Sequence, residues 1–395
     1  MEESIYRKDN SISYIVNIKV VGVGGGGNNA VHHMMQQGLK GVEFYAANTD
    51  SQSLLNFDEG DRMYIGQKLT KGLGAGADPE IGRKAAEESI DSIRQTLSGA
   101  DMVFIAAGMG GGTGTGAAPV IARVAKELGA LTIAIVTTPF GFEGAKRRTF
   151  ASEGLQELRP NVDSLIVISN ETLLQMFGNI SIRESFKKAD DILCQSVHAI
   201  TSLINDKALI NLDFADVRNI MKDKGTAMIG MGKGTGESKA RDAATQAFAS
   251  PLLGSTIKGA KNAIVNITGG AGVTLQDANE AVEIVREAAG DNINIIFGIS
   301  IDDQNILTSN ESQDYMKVTI IATEFSSVSQ PRSGLETNLR SDTVNELPKV
   351  NIFANPIQEP TFDDTPSFIE NHDIEDSEPS TSDFDFAIPS FLRKK

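Results

Sequence analysis

The run Gly108–Gly116 constrains the fold more than any other feature, because six of its nine residues are glycine. It follows the apolar stretch MVFIAA and precedes the helical pattern AAPVIARVAKEL, in which Pro119 stands where a first helical turn tolerates proline. One or two glycines are enough for a structural turn. Glycines interleaved with the Thr113 and Thr115 hydroxyls instead predict a surface of free amides and donors around a polyanion.

Two further glycine-rich stretches lie beside a predicted helix. Gly22–Asn29 (GVGGGGNN) follows an apolar strand, and Lys71–Pro79 precedes a helical pattern. A helix N-terminus adds roughly half a positive charge to such amides, which favours phosphate binding. The first stretch also matches the dinucleotide pattern G-x-G-x-x-G, with Asp50 as the candidate ribose-binding acid, so an NAD-dependent oxidoreductase stays open as an alternative.

Three loops of this kind favour a nucleoside triphosphate with magnesium, because a dinucleotide has no evident use for the other two. The ordinary P-loop GTPases are excluded, since neither G-x-x-x-x-G-K-[ST] nor Asn-Lys-x-Asp occurs. A further glycine stretch, Lys233–Gly236, is interpreted as a turn between a strand and a helix. His32 and His33 open the helix after the first loop, where surface positions are expected.

The composition excludes several classes of protein. A formal net charge of -16 opposes nucleic-acid backbones and anionic membrane surfaces, so no nucleic-acid partner is expected. The single Cys194 cannot form an internal disulfide, and the four histidines lack metal-binding spacing, so no metal is expected on protein ligands alone. Neither a signal peptide nor an apolar run long enough to span a membrane occurs. We therefore expect a cytoplasmic protein without direct membrane insertion.

Alternating β-branched runs and amphipathic stretches predict an α/β fold that begins with a Rossmann-like parallel sheet. Its strand candidates are Val16–Val21, Val42–Ala47, Met102–Ala107, Leu131–Thr137 and Ser164–Ser169. Apolar residues at intervals of three and four from Ser181 to Asn205 predict a long connecting helix. A second, smaller α/β set follows, with strands near Thr226–Met231, Ala263–Thr268, Asn294–Ile301 and Met316–Thr323 and helices at Glu237–Ala249 and Leu275–Ala289.

The composition changes at about Ser326. Residues 326–382 hold six of the twelve prolines, one glycine, and eleven acidic against three basic residues. The few apolar side chains of this segment cannot bury enough surface to offset the entropy lost on folding, about 1–2 kcal/mol per residue. The composition therefore predicts a disordered acidic linker. Residues 383–395 then place three phenylalanines, Ile388 and Leu392 in thirteen positions, as in a tethered recognition peptide.

Taken together, these motifs resemble the tubulin/FtsZ family of cell-division GTPases. The shared signature is GGGTGTG at 110–116. The other matching stretches are GVGGGGNN at 22–29, NTD at 48–50, GLGAGADP at 72–79, PFGFEGAKRR at 139–148, NLDFADV at 211–217 and IPSFLRKK at 388–395. The resemblance covers residues 14–324 nearly without interruption and the last thirteen residues.

The resemblance implies a GTPase that assembles head to tail with copies of itself into filaments of the bacterial division ring, at midcell on the inner face of the membrane. It implies GTP or GDP as ligand, Mg²⁺ bound through the nucleotide, and membrane-linked adaptor and regulator proteins that bind residues 383–395. The implied organisation is a flexible N-terminus (1–13), a GTP-binding domain (14–180), a connecting helix (181–208), a GTPase-activating domain (209–325), the linker (326–382) and the tail (383–395). A regulator that binds nucleotide without polymerising is a further alternative.

The resemblance also implies a role for individual residues. Phosphates would contact Gly25, Gly26, Gly27, Asn28 and Asn29 of the first loop and Gly112, Thr113, Gly114, Thr115 and Gly116 of the second. Glu143 and Arg147 would hold the ribose or flank the phosphates, and Asn170, Phe186 and Asp191 would contact guanine. Asn28 replaces a glycine that is common in this loop, and a side chain is penalised wherever φ is positive.

The catalytic candidates lie in the segment Asn211–Asp216. If a helix starts at Asp213, then Asp213 and Asp216 share one face. An N-cap aspartate followed by a solvated acid is the alternative that the residues leave open. The resemblance implies that these carboxylates, with Asn211, polarise water at the nucleotide of a neighbouring subunit, so that one subunit alone lacks a complete site.

Overall fold

The computed structural model describes residues 16–178, 180–205, 210, 212–253, 257, 259–290, 292–301 and 314–325. The predicted N-terminus, acidic linker and tail lie outside the described residues, as do Asn211 and residues 206–208 of the predicted connecting helix.

Ten strands and eleven α-helices occur in the described residues. The strands are β1 (Ile18–Val23), β2 (Glu43–Asn48), β3 (Arg62–Tyr64), β4 (Met102–Gly108), β5 (Leu131–Thr138), β6 (Ser164–Ser169), β7 (Gly225–Thr235), β8 (Ala260–Gly269), β9 (Asn294–Ile301) and β10 (Tyr315–Phe325). The helices are α1 (Gly24–Gln36), α2 (Gln67–Thr70), α3 (Pro79–Glu88), α4 (Ile90–Leu97), α5 (Thr113–Glu127), α6 (Ala145–Leu158), α7 (Asn170–Phe177), α8 (Ile182–Asn205), α9 (Phe214–Met221), α10 (Lys239–Phe248) and α11 (Leu275–Ala289).

All ten strands form one sheet in the order β3-β2-β1-β4-β5-β6-β7-β10-β8-β9. Strands β1 to β6 are parallel to one another, as the predicted Rossmann-like arrangement requires. Their two faces enter different cores, because Ile18 and Val20 pack with α1 and α8 whereas Val21 and Val23 pack with α3 to α6. Burial on both faces explains why these strands are almost continuously apolar. The predicted α/β class is confirmed.

The sheet continues into the second half of the described chain through a short contact. β6 pairs in parallel with β7 over three residue pairs, from Ser164 with Gly225 to Ile166 with Ala227. β10 then runs antiparallel to both β7 and β8, and β9 is parallel to β8. Helices α10 and α11 cover one face of these strands and share a separate core with β8, β9 and β10.

A buried lysine ties the second half together. Lys239 Nζ lies 3.1 Å from Asp277 Oδ2 and 3.0 Å from Asp314 Oδ1, which joins α10 to α11 and to the start of β10. Burial alone would raise the pKa of Asp277, but hydrogen bonds from Thr274 and the Lys239 ammonium outweigh it and lower that pKa. The charges of Lys239, Asp277 and Asp314 are therefore paired with one another.

Several predicted elements appear with the predicted bounds, among them Ser164–Ser169, Asn294–Ile301 and Leu275–Ala289. One interpretation is wrong: Lys233 belongs to strand β7 rather than to a turn. The strand runs on because its glycines allow α10 to pack directly against its main chain, and Gly236, with φ of +72°, makes the turn one residue after the strand ends.

Candidate nucleotide-binding site

The three glycine-rich stretches meet at the carboxyl edge of the parallel strands. β1 and β4 are neighbours in the sheet, so the loops that follow them lie side by side. A Cβ atom on Gly27 would collide with the carbonyl oxygen of Ala106, and one on Gly112 would lie 2.8 Å from the amide nitrogen of Asp78. Glycine is therefore required at these positions for the three main chains to approach one another.

Other glycines of the same loops border open space. Nothing lies within 4 Å of a Cβ position on Gly25 or Gly111. Gly24 and Gly110 have positive φ values of +71° and +100°, a conformation that favours glycine. Helices α1 and α5 begin here, and the first-turn amides of a helix have no partner within it. Two helix N-termini and an open strip of main chain thus form a cradle suited to an anion.

Asn28 is buried, and its side chain stabilises the first loop from within. In the amide orientation that satisfies both ends, Nδ2 donates to the carbonyl oxygens of Gly22 (2.8 Å) and Gly24 (3.1 Å), and Oδ1 accepts from Asn48 Nδ2 (3.0 Å). Asn28 lies inside α1 and is not among the described residues with positive φ. The expected conformational penalty at Asn28 therefore does not arise.

The two threonines of the second loop also use their hydroxyls within the protein. Thr113 Oγ1 lies 2.7 Å from Thr49 Oγ1, and Thr115 Oγ1 accepts a hydrogen bond from the Gly110 amide at 2.8 Å. These bonds link the second loop to the NTD stretch and to itself. In this conformation the cradle presents main-chain amides, rather than the hydroxyls that the sequence predicted as phosphate donors.

Glu143 and Arg147, predicted at the ribose, form an ion pair between the turn that precedes α6 and the first turn of α6. Arg147 Nη1 lies 2.6 Å from Glu143 Oε2, while Glu143 Oε1 accepts from the Phe140 amide at 2.9 Å. Two bonds hold the glutamate in place. Half of the arginine side chain is exposed, so it can reorient toward a ligand.

The residues predicted to contact the base combine an unpaired acceptor with an exposed ring. Asn170 begins α7 directly after β6, is buried, and its Oδ1 has no hydrogen-bond partner among the described residues. A buried polar atom left unpaired costs about 1–3 kcal/mol, which a ligand N–H group would remove. Phe186, which is 43% exposed, lies edge-on to Phe140 with ring centroids 5.3 Å apart. These features fit a flat base that donates hydrogen bonds.

The third predicted base contact, Asp191, has a partner that the sequence did not reveal. His33 Nε2 lies 2.7 Å from Asp191 Oδ1, and the two side chains are only 12% and 24% exposed. The surface position expected for His33 is wrong. The sequence carries no signal for this pair, because 158 residues separate its members and their meeting depends on α1 packing against α8.

A second carboxyl group next to Asp191 carries a perturbed pKa. Burial, followed by repulsion from the Asp191 carboxylate, raises the pKa of Asp190 to about 7. The N-terminal half of α8 thus holds two adjacent acids, of which Asp190 is costly to ionise.

The catalytic candidates lie at the other end of α8. Asp213 precedes α9 at the N-cap position but makes no capping hydrogen bond, and Asp216 follows in the first turn. The Leu212 amide donates to the Leu203 carbonyl oxygen at 3.1 Å, which fixes this segment beside the last turns of α8. Asp191 precedes Leu203 by twelve residues, roughly 18 Å of helix. One copy of the chain therefore does not bring these carboxylates to its own predicted base contacts.

Comparison with known proteins identifies the family. The family model described as Tubulin/FtsZ family, GTPase domain, matches residues 17–178, and the model described as FtsZ family, C-terminal domain, matches residues 225–326. The solved FtsZ of M. jannaschii, an empty dimer, is 42% identical, over 78% of this chain and 88% of that chain, with a TM-score of 0.73. The chain belongs to the tubulin/FtsZ family.

Other solved structures agree with this assignment. A tryptophan-to-tyrosine mutant of the M. jannaschii FtsZ is 41% identical over 78% of this chain and 91% of that one, with a TM-score of 0.74. CetZ1 from Haloferax volcanii, a GDP-bound monomer, is 20% identical over 80% of this chain and 96% of that one, with a TM-score of 0.63. At that identity the CetZ1 match shows a shared fold alone.

As a member of the tubulin/FtsZ family the chain is a GTPase, so the NAD-dependent alternative is wrong. Asp50, the candidate ribose-binding acid of that alternative, is used within a turn: its carboxylate accepts from the Gln52 amide at 3.0 Å and from Ser53 Oγ at 2.8 Å.

None of the described helices is long and apolar enough to cross a membrane. Within the same residues no group of three or more His, Cys, Asp or Glu side chains could hold a metal ion.

Proposed function

We propose that the chain binds GTP in the cradle of the three glycine-rich loops and hydrolyses it only when a second copy supplies Asp213 and Asp216. The observation that carries this proposal is the separation along α8 of the base-binding residues from the two carboxylates. The division of labour follows: residues 14–180 bind the nucleotide, and residues 209–325 complete the neighbouring site.

The cradle contributes to hydrolysis by stabilising the negative charge of the phosphates. Main-chain amides of Gly25 and Gly26 at the start of α1 and of Gly112–Thr115 at the start of α5 surround the phosphates, and the N-termini of these helices stabilise the negative charge that develops on them. Bound Mg²⁺, held through the phosphates, would neutralise part of the same charge. Asn170, Phe186 and Asp191 hold the base, and Arg147 closes over the ribose side.

The neighbouring copy contributes the group that acts on water. The Asp213 and Asp216 carboxylates accept hydrogen bonds from a water molecule and orient it in line with the γ-phosphate, and Asn211 belongs to the same segment but lies outside the described residues. Hydrolysis would then follow assembly, since only a subunit contact creates the complete site.

Head-to-tail assembly of this kind would build a filament with one nucleotide per subunit contact. The relative from M. jannaschii was solved as a dimer. We propose that such filaments form the division ring, on the cytoplasmic side of the membrane at midcell.

The test is GTP turnover per subunit measured from dilute to concentrated protein. The turnover per subunit should rise with protein concentration, and light scattering should rise with it. A turnover per subunit that stays constant would refute the shared site and favour a regulator that does not polymerise. Asp216→Ala should bind GDP normally, still form filaments and hydrolyse GTP about a hundredfold more slowly. Asp242→Ala is the matched control, because Asp242 is an exposed acid in the first turn of the next helix.

A mixing experiment separates a shared site from a site within one subunit. Gly111→Val should fold, because the Cβ position borders open space, but should block the phosphates. Mixed with Asp216→Ala, it offers intact carboxylates to a partner that holds GTP. The mixture should hydrolyse GTP faster than the sum of its components, and a rate equal to that sum would contradict hydrolysis in trans.

Residues 383–395 are proposed as the docking peptide for membrane-linked adaptor and regulator proteins. Phe386, Ile388, Phe391 and Leu392 offer apolar anchors, and the three terminal basic residues suit an acidic rim. Those three charges, at about 1 kcal/mol each, are too few to hold a filament on a membrane directly. Deleting 383–395 should leave GTP turnover unchanged and abolish recruitment to adaptor-coated vesicles, and equal recruitment of both proteins would refute the assignment.

A further inference from the structure

We propose that His33 is a positioning residue, which holds the Asp191 carboxylate in the one orientation that distinguishes guanine from hypoxanthine. The proposal rests on the function proposed above, in which Asp191 contacts the base. It starts from the 2.7 Å contact between His33 Nε2 and Asp191 Oδ1.

The geometry makes this contact a constraint on Asp191. The carboxylate lies on α8 and the imidazole on α1, so the bond joins two elements that are each packed into the same core. Asp191 Oδ2 lies 3.7 Å from Lys188 Nζ, a longer contact to a half-exposed side chain on the same helix. Of these two contacts within the described residues, the one to the nearly buried His33 is the one held in a fixed position.

The position of His33 on α1 connects the two ends of the proposed site. The same helix begins at Gly24 with the amides assigned to the phosphates. His33 follows nine residues later, roughly 13 Å along the helix. One rigid element would therefore set the distance between the phosphate cradle and the group that reads the base.

Guanine presents two neighbouring donors, the ring N1–H and the exocyclic 2-amino group, whereas hypoxanthine has only the first. A carboxylate accepts from both donors of guanine only when its plane is aligned with the base. Each carboxylate oxygen has two lone-pair sites, so Oδ1 can keep the His33 hydrogen bond while it accepts from the base. Without His33 the Asp191 side chain is free to rotate, and the advantage of the second donor is lost.

The experiment compares the affinities of GDP and inosine diphosphate for the full-length chain and its variants. His33→Ala should weaken GDP binding about tenfold and inosine diphosphate binding less than about twofold, so that discrimination falls. His33→Gln, whose amide can still donate, should restore part of the discrimination. His32→Ala is the matched control, because His32 neighbours His33 but pairs with Gln36 at 2.8 Å, and it should leave both affinities within about twofold.

Two results would overturn the proposal: equal weakening of both ligands by His33→Ala, as a general loosening of the helices would cause, or unchanged GDP affinity. Asp191→Ala separates this inference from the function on which it rests. If Asp191→Ala keeps full discrimination, the assigned base contact itself is wrong. If Asp191→Ala loses discrimination while His33→Ala keeps it, only the role of His33 is wrong. The double variant should discriminate no less than Asp191→Ala alone.

Discussion

Two glycine runs of this chain have nearly the same sequence and opposite structural roles. Residues 108–114 read GMGGGTG and residues 230–236 read GMGKGTG, so the runs differ at one position. The first leaves the end of β4, makes an open loop and enters α5 at Thr113. The second lies almost entirely inside β7. The sequence of a glycine run therefore does not decide whether its amides are available to a ligand.

The difference lies in what each main chain contacts. In β7, Cβ atoms on Gly230, Gly232 and Gly234 would overlap carbonyl oxygens of α10, so alternate glycines allow that helix to pack against the strand. The amides of β7 belong to a ladder with β10. In the first run Gly111 borders open space and the strand ladder has ended. A glycine run can bind an anion where a strand ends, not where it continues.

Gly112→Val should have the largest effect, because it tests the role of the first run. The new side chain would meet the Asp78 main chain at 2.8 Å and push the second loop away from the third. We expect GDP affinity to fall about a thousandfold, with most of the cradle lost at once. Titration with labelled GDP measures this, and near-normal binding would contradict the convergence of the loops.

Gly232→Ala is the corresponding change in the second run. Its Cβ would overlap the Ala243 carbonyl oxygen, so α10 must move away from β7. Overpacking of this kind lowers the free energy of unfolding by about 3 kcal/mol. GDP affinity of the folded protein should stay unchanged. Urea unfolding and GDP titration on the same sample measure both effects. A loss of GDP affinity without a loss of stability would contradict the claim that the second run serves packing and only the first binds the nucleotide.

The two regions also differ in how they hold carboxylates. Asp277 is paired with Lys239 and its pKa is lowered, whereas the pKa of Asp190 is raised to about 7 by burial and by Asp191. Because the pKa of Asp190 is raised in the folded protein, its contribution to the free energy of unfolding is fully present below the pKa of the unfolded chain, near pH 4. That contribution is lost as the pH rises through 7. For Asp277 the sign is reversed, since its stabilisation is present above pH 4 and is lost as the pH falls below that value.

Asp190→Asn should therefore raise the free energy of unfolding by about 1–3 kcal/mol at pH 8, allowing for partial exposure of the carboxyl, and leave it unchanged at pH 4. Asp277→Asn should lower stability at pH 7. Urea unfolding between pH 4 and 8 without nucleotide tests both changes. If the stability of Asp190→Asn changes with pH in parallel with that of the unmodified protein, ionising Asp190 carries no such cost.

Features of this structure that depend on neighbouring residues in the sequence could be predicted, and features that depend on contacts between distant segments could not. Ser164–Ser169 and Leu275–Ala289 could be predicted to the residue, because β-branched runs and helical periodicity are local patterns. The meeting of the first two glycine loops agrees with the rule that neighbouring parallel strands end at one edge of a sheet, whereas the third loop follows α2 and reaches them through packing. The contact of His33 with Asp191 and the three-residue pairing of β6 with β7 could not be predicted, since each joins distant segments through packing. The role of the second glycine run likewise depends on α10, which its own sequence does not contain.

Lys233→Ala should have the smallest effect, and it tests the comparison at the position where the two runs differ. Lys233 is exposed, and its Nζ lies 5.8 Å from the centre of the Tyr315 ring, a contact worth about 0.5–1 kcal/mol at most on a surface. If the second run bound phosphate, its lysine would be the obvious charge partner, and removing it would weaken GDP binding by about tenfold or more. Because the β7 amides are paired and the glycines face α10, we expect GDP affinity to stay within about twofold and the free energy of unfolding to change by about 1 kcal/mol or less. GDP titration at low ionic strength, where a lysine–phosphate contact would be strongest, gives the most demanding version of this measurement.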